Sequence, residues 1–307
     1  MRLMARIGVV GAGRVGAVLA AALRSAGHEV VAVAGESSAS RLRIETLLPG
    51  VPVRKPTEVA RSCDLLLLTV PDDMLENVVN MLSGAGAIRE GQYVVHTSGR
   101  HGLAVLAAAE AVGAHPVAMH PAMTFTGTSV DLDRLVGCVF GITAQEPDRA
   151  FVEALVADLG GAPMWVDESR RTLYHAGLAH GANHLVTLVA QAMDLLVEAG
   201  ATDPAATLRP LLGAALDNAL TYGDAALTGP IVRGDLQTVR AHLEEIAVKA
   251  PDTLPSYIAM ARATVDRAVL DGRLLPIRAA RLGDLLDGAT ATAARTASGS
   301  RAGRTGR

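Results

Sequence analysis

The chain has 307 residues, half of them hydrophobic and 3% aromatic, with 28 Lys and Arg against 31 Asp and Glu and a formal charge of −3. That balance excludes a disordered chain, which needs low hydrophobicity and high net charge. It also leaves no strong basic field to hold nucleic acid. Two cysteines, Cys63 and Cys138, make neither a disulfide framework nor a four-ligand metal site, and they fit a reducing cytoplasm as small apolar residues. The length suggests about two domains.

Residues 1–6 run into a glycine pattern and read as mature protein rather than a signal peptide. From there to about residue 168, short apolar runs alternate with Ala-rich helical stretches. Residues 7–10, 30–34, 65–70, 93–96, 116–119 and 136–142 read as buried strands, being β-branched or Leu-rich and bounded by Gly, Pro, Asp or Ser. Residues 15–26, 72–82 and 103–112 read as helices. This alternation predicts an α/β fold, a parallel sheet with helices on both faces.

After residue 168 the pattern turns wholly helical. A long helix over 169–199 ends at Gly200. Asp203-Pro204 starts another with an N-cap and a first-turn proline, Thr228-Gly229-Pro230 breaks it, and 235–248 and 256–271 complete an all-α domain. Within 172–193 there is no Asp, Glu, Lys or Arg, yet His175, His180, Asn183, His184 and Gln191 are too many polar groups for lipid. This segment is expected to be a buried helix of a soluble protein. From about Gly288 the composition is Ala, Thr, Ser, Gly and Arg without apolar periodicity, and disorder is expected. The domains are therefore 1–168, 169–287 and a tail, 288–307.

Gly11-Ala12-Gly13-Arg14-Val15-Gly16 follows the first strand and opens a helix, the context in which a GxGxxG string carries meaning. Gly11 allows the tight turn, Gly13 lets bare backbone approach a pyrophosphate, and Gly16 lets helix and strand pack closely. The helix N-terminus presents free N–H groups and a positive dipole end to the phosphates. Ser37-Ser38-Ala39-Ser40-Arg41 offers hydroxyls and a guanidinium to a 2′-phosphate, which favours NADP; Glu36, at the distance of an NAD ribose contact, keeps NAD as the alternative. Val70-Pro71 and Ser98 end strands at the same ligand-facing edge, where Asp72 and Ser98 serve equally well as helix caps.

At this point the chain resembles a superfamily of two-domain oxidoreductases with a Rossmann-like N-terminal half and an all-helical C-terminal half. The superfamily includes pyrroline-5-carboxylate reductases, ketopantoate reductases and 6-phosphogluconate or 3-hydroxyacid dehydrogenases. The resemblance is strongest to a bacterial branch. It rests on Thr97-Ser98-Gly99, His120-Pro121 with Thr124-Phe125, Tyr174-His175 with Asn183, and the run Leu227 to Asp235 with Thr238 and His242. It covers about residues 5 to 285 and is specific for architecture more than for substrate.

In ketopantoate-reductase relatives the first long helix of the second domain carries a catalytic Lys. His175 stands at that place, Asn183 matches a later Asn, and Ala179 occupies the position between. The resemblance therefore implies an NAD(P)H-dependent reductase of a small carboxylate-bearing carbonyl or imine, with a 2-oxo acid as the ketopantoate-like guess. His175 or the Tyr174 hydroxyl would donate a proton, His being the natural donor near neutral pH. Asn183 and Ser98 would orient the reacting group between the domains, and His120 would support them. Arg233, a planar fork of donors, would hold the carboxylate, or else pair with Asp235. At about 100° per residue His175 shares a face with Leu178, Ala179, Ala182 and Val186, with Asn183 at its edge. His180 and His184 fall on the opposite face without a third ligand, so no metal is expected. Trp165 reads as packing. A homodimer through the helical halves is expected because the second domain is too thin to bury its first helix alone. Two alternatives stay open: a dinucleotide-binding sensor or scaffold without turnover, and a deazaflavin-dependent NADP reductase.

Overall fold

The computed structural model describes residues 4–302 and divides the chain into two compact units, one up to Ala182 and one from Asn183. The first unit holds one seven-stranded sheet: β1 Arg6–Val10, β2 Glu29–Ala34, β3 Leu65–Leu68, β4 Tyr93–His96, β5 His115–Pro121, β6 Val139–Ala144 and β7 Ala162–Trp165. Their order across the sheet is β2-β1-β3-β4-β5-β6-β7. β2 to β5 run parallel, β6 is antiparallel to β5, and β7 is parallel to β6.

The helices of this unit are α1 Arg14–Ser25, α2 Ser38–Leu47, α3 Pro56–Ser62, α4 Asp72–Gly84, α5 Ala107–Glu110, α6 Val130–Leu135, α7 Arg149–Asp158 and α8 Arg171–Leu178. They cover both faces, which explains the unbroken apolar runs of the central strands. Along β3, Leu65 and Leu67 enter the core layer shared with α1, α6 and α7, while Leu66 and Leu68 enter the layer shared with α3, α4 and α5. All four are essentially inaccessible to solvent. Parallel pairing from β2 to β5 brings the carboxyl ends of β1, β3, β4 and β5 to one edge.

Several expectations change. The antiparallel β6 and the short β7 depart from an all-parallel sheet; β7 is an edge strand, where Pro163 is tolerated. The serine run after β2 is the start of α2, not a loop: Ser37 caps it by accepting from the Ser40 N–H. The long helix expected over 169–199 is α8, a π turn over Ala179–Asn183 and then α9 His184–Glu198. A π turn resets the helical register, so faces counted at 100° per residue do not carry across it. The contact boundary falls inside this turn, fourteen residues beyond the expected one, because α8 is anchored in the sheet unit.

The second unit adds α10 Pro204–Tyr222, α11 Pro230–Arg233, α12 Leu236–Lys249, α13 Leu254–Leu270 and α14 Pro276–Ala302. Its core is made by α12, α13 and α14 around Val239, Leu243, Ile258, Val265, Leu282 and Leu286. α9 was expected to be buried. It buries none of its residues, and α10 buries only Leu208. Where a disordered tail was expected from about Gly288, the backbone follows α14 to Ala302. Residues 303–307 lie outside the described residues. Among the described residues no helix is long and apolar enough to cross a membrane.

Candidate active site

Between β1 and α1 the chain turns in very little space. Gly11 sits at φ 97°, and a Cβ there would lie 2.8 Å from the backbone of Thr69 and Val70. The N–H groups of Gly11 and Ala12 both donate to the Ala34 carbonyl, at 3.0 and 2.9 Å. A Cβ on Gly16 would collide with Thr69 Oγ1 and lie 2.7 Å from the Gly11 carbonyl, which itself accepts from Thr69 Oγ1 at 2.6 Å. Gly13 differs: its added Cβ would meet only the Gly11 oxygen, at 3.8 Å. The loop is thus closed on the strand side and open where a diphosphate would approach the first-turn N–H groups of α1. Arg14 is exposed and Val15 half-buried in that turn.

Beside this loop lie Val70, half-buried, and Pro71, which precedes α4. At the end of β2, the Ser37 hydroxyl is engaged with Ser40, while Ser38 and Arg41 are exposed, as is Glu36. Arg43, which sequence reasoning did not single out, is half-buried, and its Nε would lie 2.6 Å from a Cβ on Gly127.

The loop leaving β4 is fixed by an unusual number of side chains. His96 is fully buried; its Nδ1 accepts from the Ser98 N–H at 3.1 Å and its Nε2 donates to the Gly102 carbonyl at 2.9 Å. These two bonds define a neutral ring with the proton on Nε2. Burial pushes its pKa down to about 4, against the opposing Gly102 hydrogen bond. The Ser98 hydroxyl accepts from the His101 N–H within the loop and caps no helix, since the next helical turn begins only at Ala104. Glu168 accepts from Leu103 and Ala104 N–H. Arg171, wholly buried, donates from Nη2 to the Ser98 carbonyl at 2.7 Å and from Nη1 to Thr143 Oγ1 at 2.9 Å.

On this platform His120, at the end of β5, meets Tyr174 and His175 from α8. His120 Nδ1 and the Tyr174 hydroxyl are 3.0 Å apart, and the two rings are edge to face, as are those of His120 and His175. Two glycines make room. A Cβ on Gly99 would lie 2.5 Å from His175 Cδ2 and 3.0 Å from His120 Nε2, and one on Gly141 would lie 2.5 Å from the Tyr174 ring. Burial, then the charges of His175 and Arg171, push His120 down to about 4, with Asp72 opposing. Burial raises Tyr174 above the usual phenol value. The arrangement is therefore a neutral one in which Tyr174 donates to His120 Nδ1. Among the described residues nothing in the protein hydrogen-bonds to His120 Nε2 or to His175.

The structure thus brings together Ser98, His120, Tyr174 and His175 within the first unit. Asn183 begins the second unit, ending the π turn, and Arg233 is exposed at the end of α11. Asp235 caps α12 through the Thr238 N–H and hydroxyl. Trp165 donates to Glu153 and stacks under Arg149. Among the described residues no group of three or more His, Cys, Asp or Glu converges as metal ligands. Arg171 was missed, although its signal was present: Arg171, Tyr174 and His175 recur at i, i+3 and i+4, one helical face.

Residues 2–121 match the Rossmann-like domain, and residues 138–264 match a domain of unknown function, DUF2520. The chain therefore carries a Rossmann-like domain followed by a DUF2520 domain. Its fold is similar to that of a candidate NADP oxidoreductase from Bacteroides fragilis, at 22% identity and a TM-score of 0.73 over 85% of this chain and 98% of that one. An imine reductase from Pseudomonas is 17% identical with a TM-score of 0.64, over 92% and 100% of the two chains. Plasmodium falciparum pyrroline carboxylate reductase, solved with NADP bound, is 13% identical with a TM-score of 0.53, over 95% and 98%. No curated protein matches the chain.

His96 and His120 generate a pH dependence of stability. Both are held near 4, whereas an unfolded histidine titrates near 6.5. Between those values the unfolded chain binds more protons, so stability falls as pH drops from 6.5 to 4 and is fully present above that window. The loss is on the order of 3 kcal/mol for each histidine. Urea unfolding at pH 7, 5.5 and 4.5 is expected to show this decline. It should flatten in part when His96 is replaced by Gln, and a wild-type curve that is level across the window contradicts the assignment.

Proposed function

We propose that the chain is an NAD(P)H-dependent reductase of a small carbonyl or imine substrate, with NADP preferred and NAD as the alternative. One observation carries this reading: the open glycine turn and the His120–Tyr174–His175 cluster lie at the carboxyl edge of the same sheet, where ligands of doubly wound folds bind. The similarity in fold to NADP-dependent reductases supports it. A bound nicotinamide coenzyme would supply the hydride. The first-turn N–H groups of Arg14, Val15 and Gly16 would hold its diphosphate, with Gly11, Ala12 and Gly13 shaping the turn, and Ser37, Ser38 and Arg41 at the end of β2 would meet a 2′-phosphate.

Hydride addition to C=O leaves negative charge on oxygen, so a positioned proton donor lowers the barrier. His175 supplies the proton, since its ring nitrogens are not engaged by the protein. His120, with a pKa of about 4, is neutral at pH 7 and does not act as an imidazolium donor. It accepts from Tyr174 at Nδ1 and offers Nε2–H to the reacting group, a neutral electrophile. Ser98 orients that group. Asn183 and Arg233 keep the roles assigned from sequence, orienting the substrate and holding a carboxylate. A ketopantoate-like 2-oxo acid is the first substrate to test. The test mixes protein and NADPH with a panel of 2-oxo acids and cyclic imines and follows NADPH absorbance. At least one compound is expected to be reduced, and His175→Ala should lower kcat about 10²- to 10⁴-fold with NADPH binding unchanged. Tight NADPH binding with no oxidation by any compound would favour the non-catalytic scaffold and contradict the proposal.

The proposal includes a cytoplasmic homodimer, its second copy covering α9 and α10. α9 leaves Val186, Leu188 and Val197 exposed, and α10 leaves Leu211, Leu216 and Leu220 exposed, more apolar surface than a lone helical unit carries without a partner. Size-exclusion chromatography with light scattering at micromolar concentration is expected to give twice the chain mass. A stable monomer would contradict the dimer.

A further inference from the structure

A charged group taken wholly out of water is normally paired with an opposite charge, because its desolvation is expensive. Arg171 breaks that pattern. It has no exposed surface, and among the described residues no carboxylate lies within ion-pair distance. Its acceptors are all neutral: the Ser98 carbonyl, Thr143 Oγ1 and, at 3.4 Å, the Gly141 carbonyl. Its Nε is buried without any partner. Burial lowers its pKa, and only Tyr174, Glu168 and Asp72 act at longer range to keep it charged.

The three acceptors belong to different places: Ser98 to the loop after β4, Gly141 and Thr143 to β6. Arg171 itself opens α8, one turn before Tyr174 and His175. The same two neighbourhoods, Gly99 and Gly141, receive the rings of His175 and Tyr174. We infer that Arg171 is the positioning residue of the site: its guanidinium fork ties α8 to the β4 loop and to β6, so that Tyr174 and His175 meet His120 over bare glycine backbone. The purpose given to it rests on the reductase reading; the clamp itself rests on the contacts. The groups facing His120 are Tyr174, His175 and Arg171 from α8 and Asp72 from the start of α4, and of these only Asp72 favours protonation.

The test uses NMR of the full chain labelled at histidine and glycine, with His120 assigned by its loss in His120→Gln. Arg171→Met keeps bulk and removes charge. The His120 midpoint is expected to rise above about 4 while staying below the ordinary histidine range, because burial, the larger cause, remains; a merely space-filling role would leave it unmoved. Arg171→Lys keeps the charge and loses the fork. There the midpoint should stay low, while the Gly99 α-proton loses the ring-current shift imposed by His175 and His120. An unmoved His120 midpoint in the methionine variant, or an unmoved Gly99 signal in the lysine variant, overturns the assignment. If the methionine variant fails to fold, the Gly99 signal of the lysine variant decides alone. Failure of the wild type to bind NADPH would sink the reductase reading and leave the titration result standing.

Discussion

Where β1 gives way to α1, the backbone passes so close to the end of β3 that Gly11 and Gly16 have no room for a side chain. Thr69 seals that contact with a hydrogen bond to the Gly11 carbonyl, while Gly13 faces open space. A bare turn at the mouth of a helix has one well-understood chemical use, which is to receive a phosphate-bearing ligand on N–H groups and dipole. Every functional assignment in the molecule depends on that use. If a dinucleotide lies over this turn, the carboxyl edge of β4 and β5 is where its reactive end meets a substrate. Without it, His120, Tyr174 and His175 are only a packed cluster.

The far side of the edge obeys a similar constraint. Gly99 and Gly141 again trade side chains for close approach, this time by aromatic rings rather than phosphates. Buried polar groups must be satisfied wherever the chain puts them. Both nitrogens of His96 are spent on the loop that carries Ser98, and two donors of Arg171 hold the loop and β6. The outcome is a rigid floor of neutral imidazole and phenol under a buried positive charge. Such a floor suits a reaction in which negative charge develops on the substrate.

Much of this was legible in the sequence for physical reasons. Central parallel strands are buried on both faces, so Leu65 to Leu68 and Ile7 to Val10 stood out as unbroken apolar runs. The glycine turn was legible because strand, GxGxxG and helix occurred in order. β7 was not, since four residues containing Pro163 carry no periodicity. α2 was hidden because Ser37 and Ser40 suit a phosphate as well as a helix start, and the structure uses their hydroxyls in the cap. The π turn at Ala179–Asn183 defeated face counting, because periodicity assumes an unbroken register. His120 and His175 were named, yet their meeting over Gly99 depends on strand order, which local spacing does not carry, and on Arg171, whose place on the Tyr174 and His175 face was legible but unread.

The account turns on a diphosphate held by bare backbone at the start of α1. Isothermal titration calorimetry of the full chain with NADPH, NADP, NADH and NAD tests it most directly. Saturable binding of at least one reduced coenzyme at one site per chain, abolished by Gly13→Asp and tighter for the 2′-phosphorylated forms, is the predicted result. No heat of association with any of the four coenzymes would contradict the account.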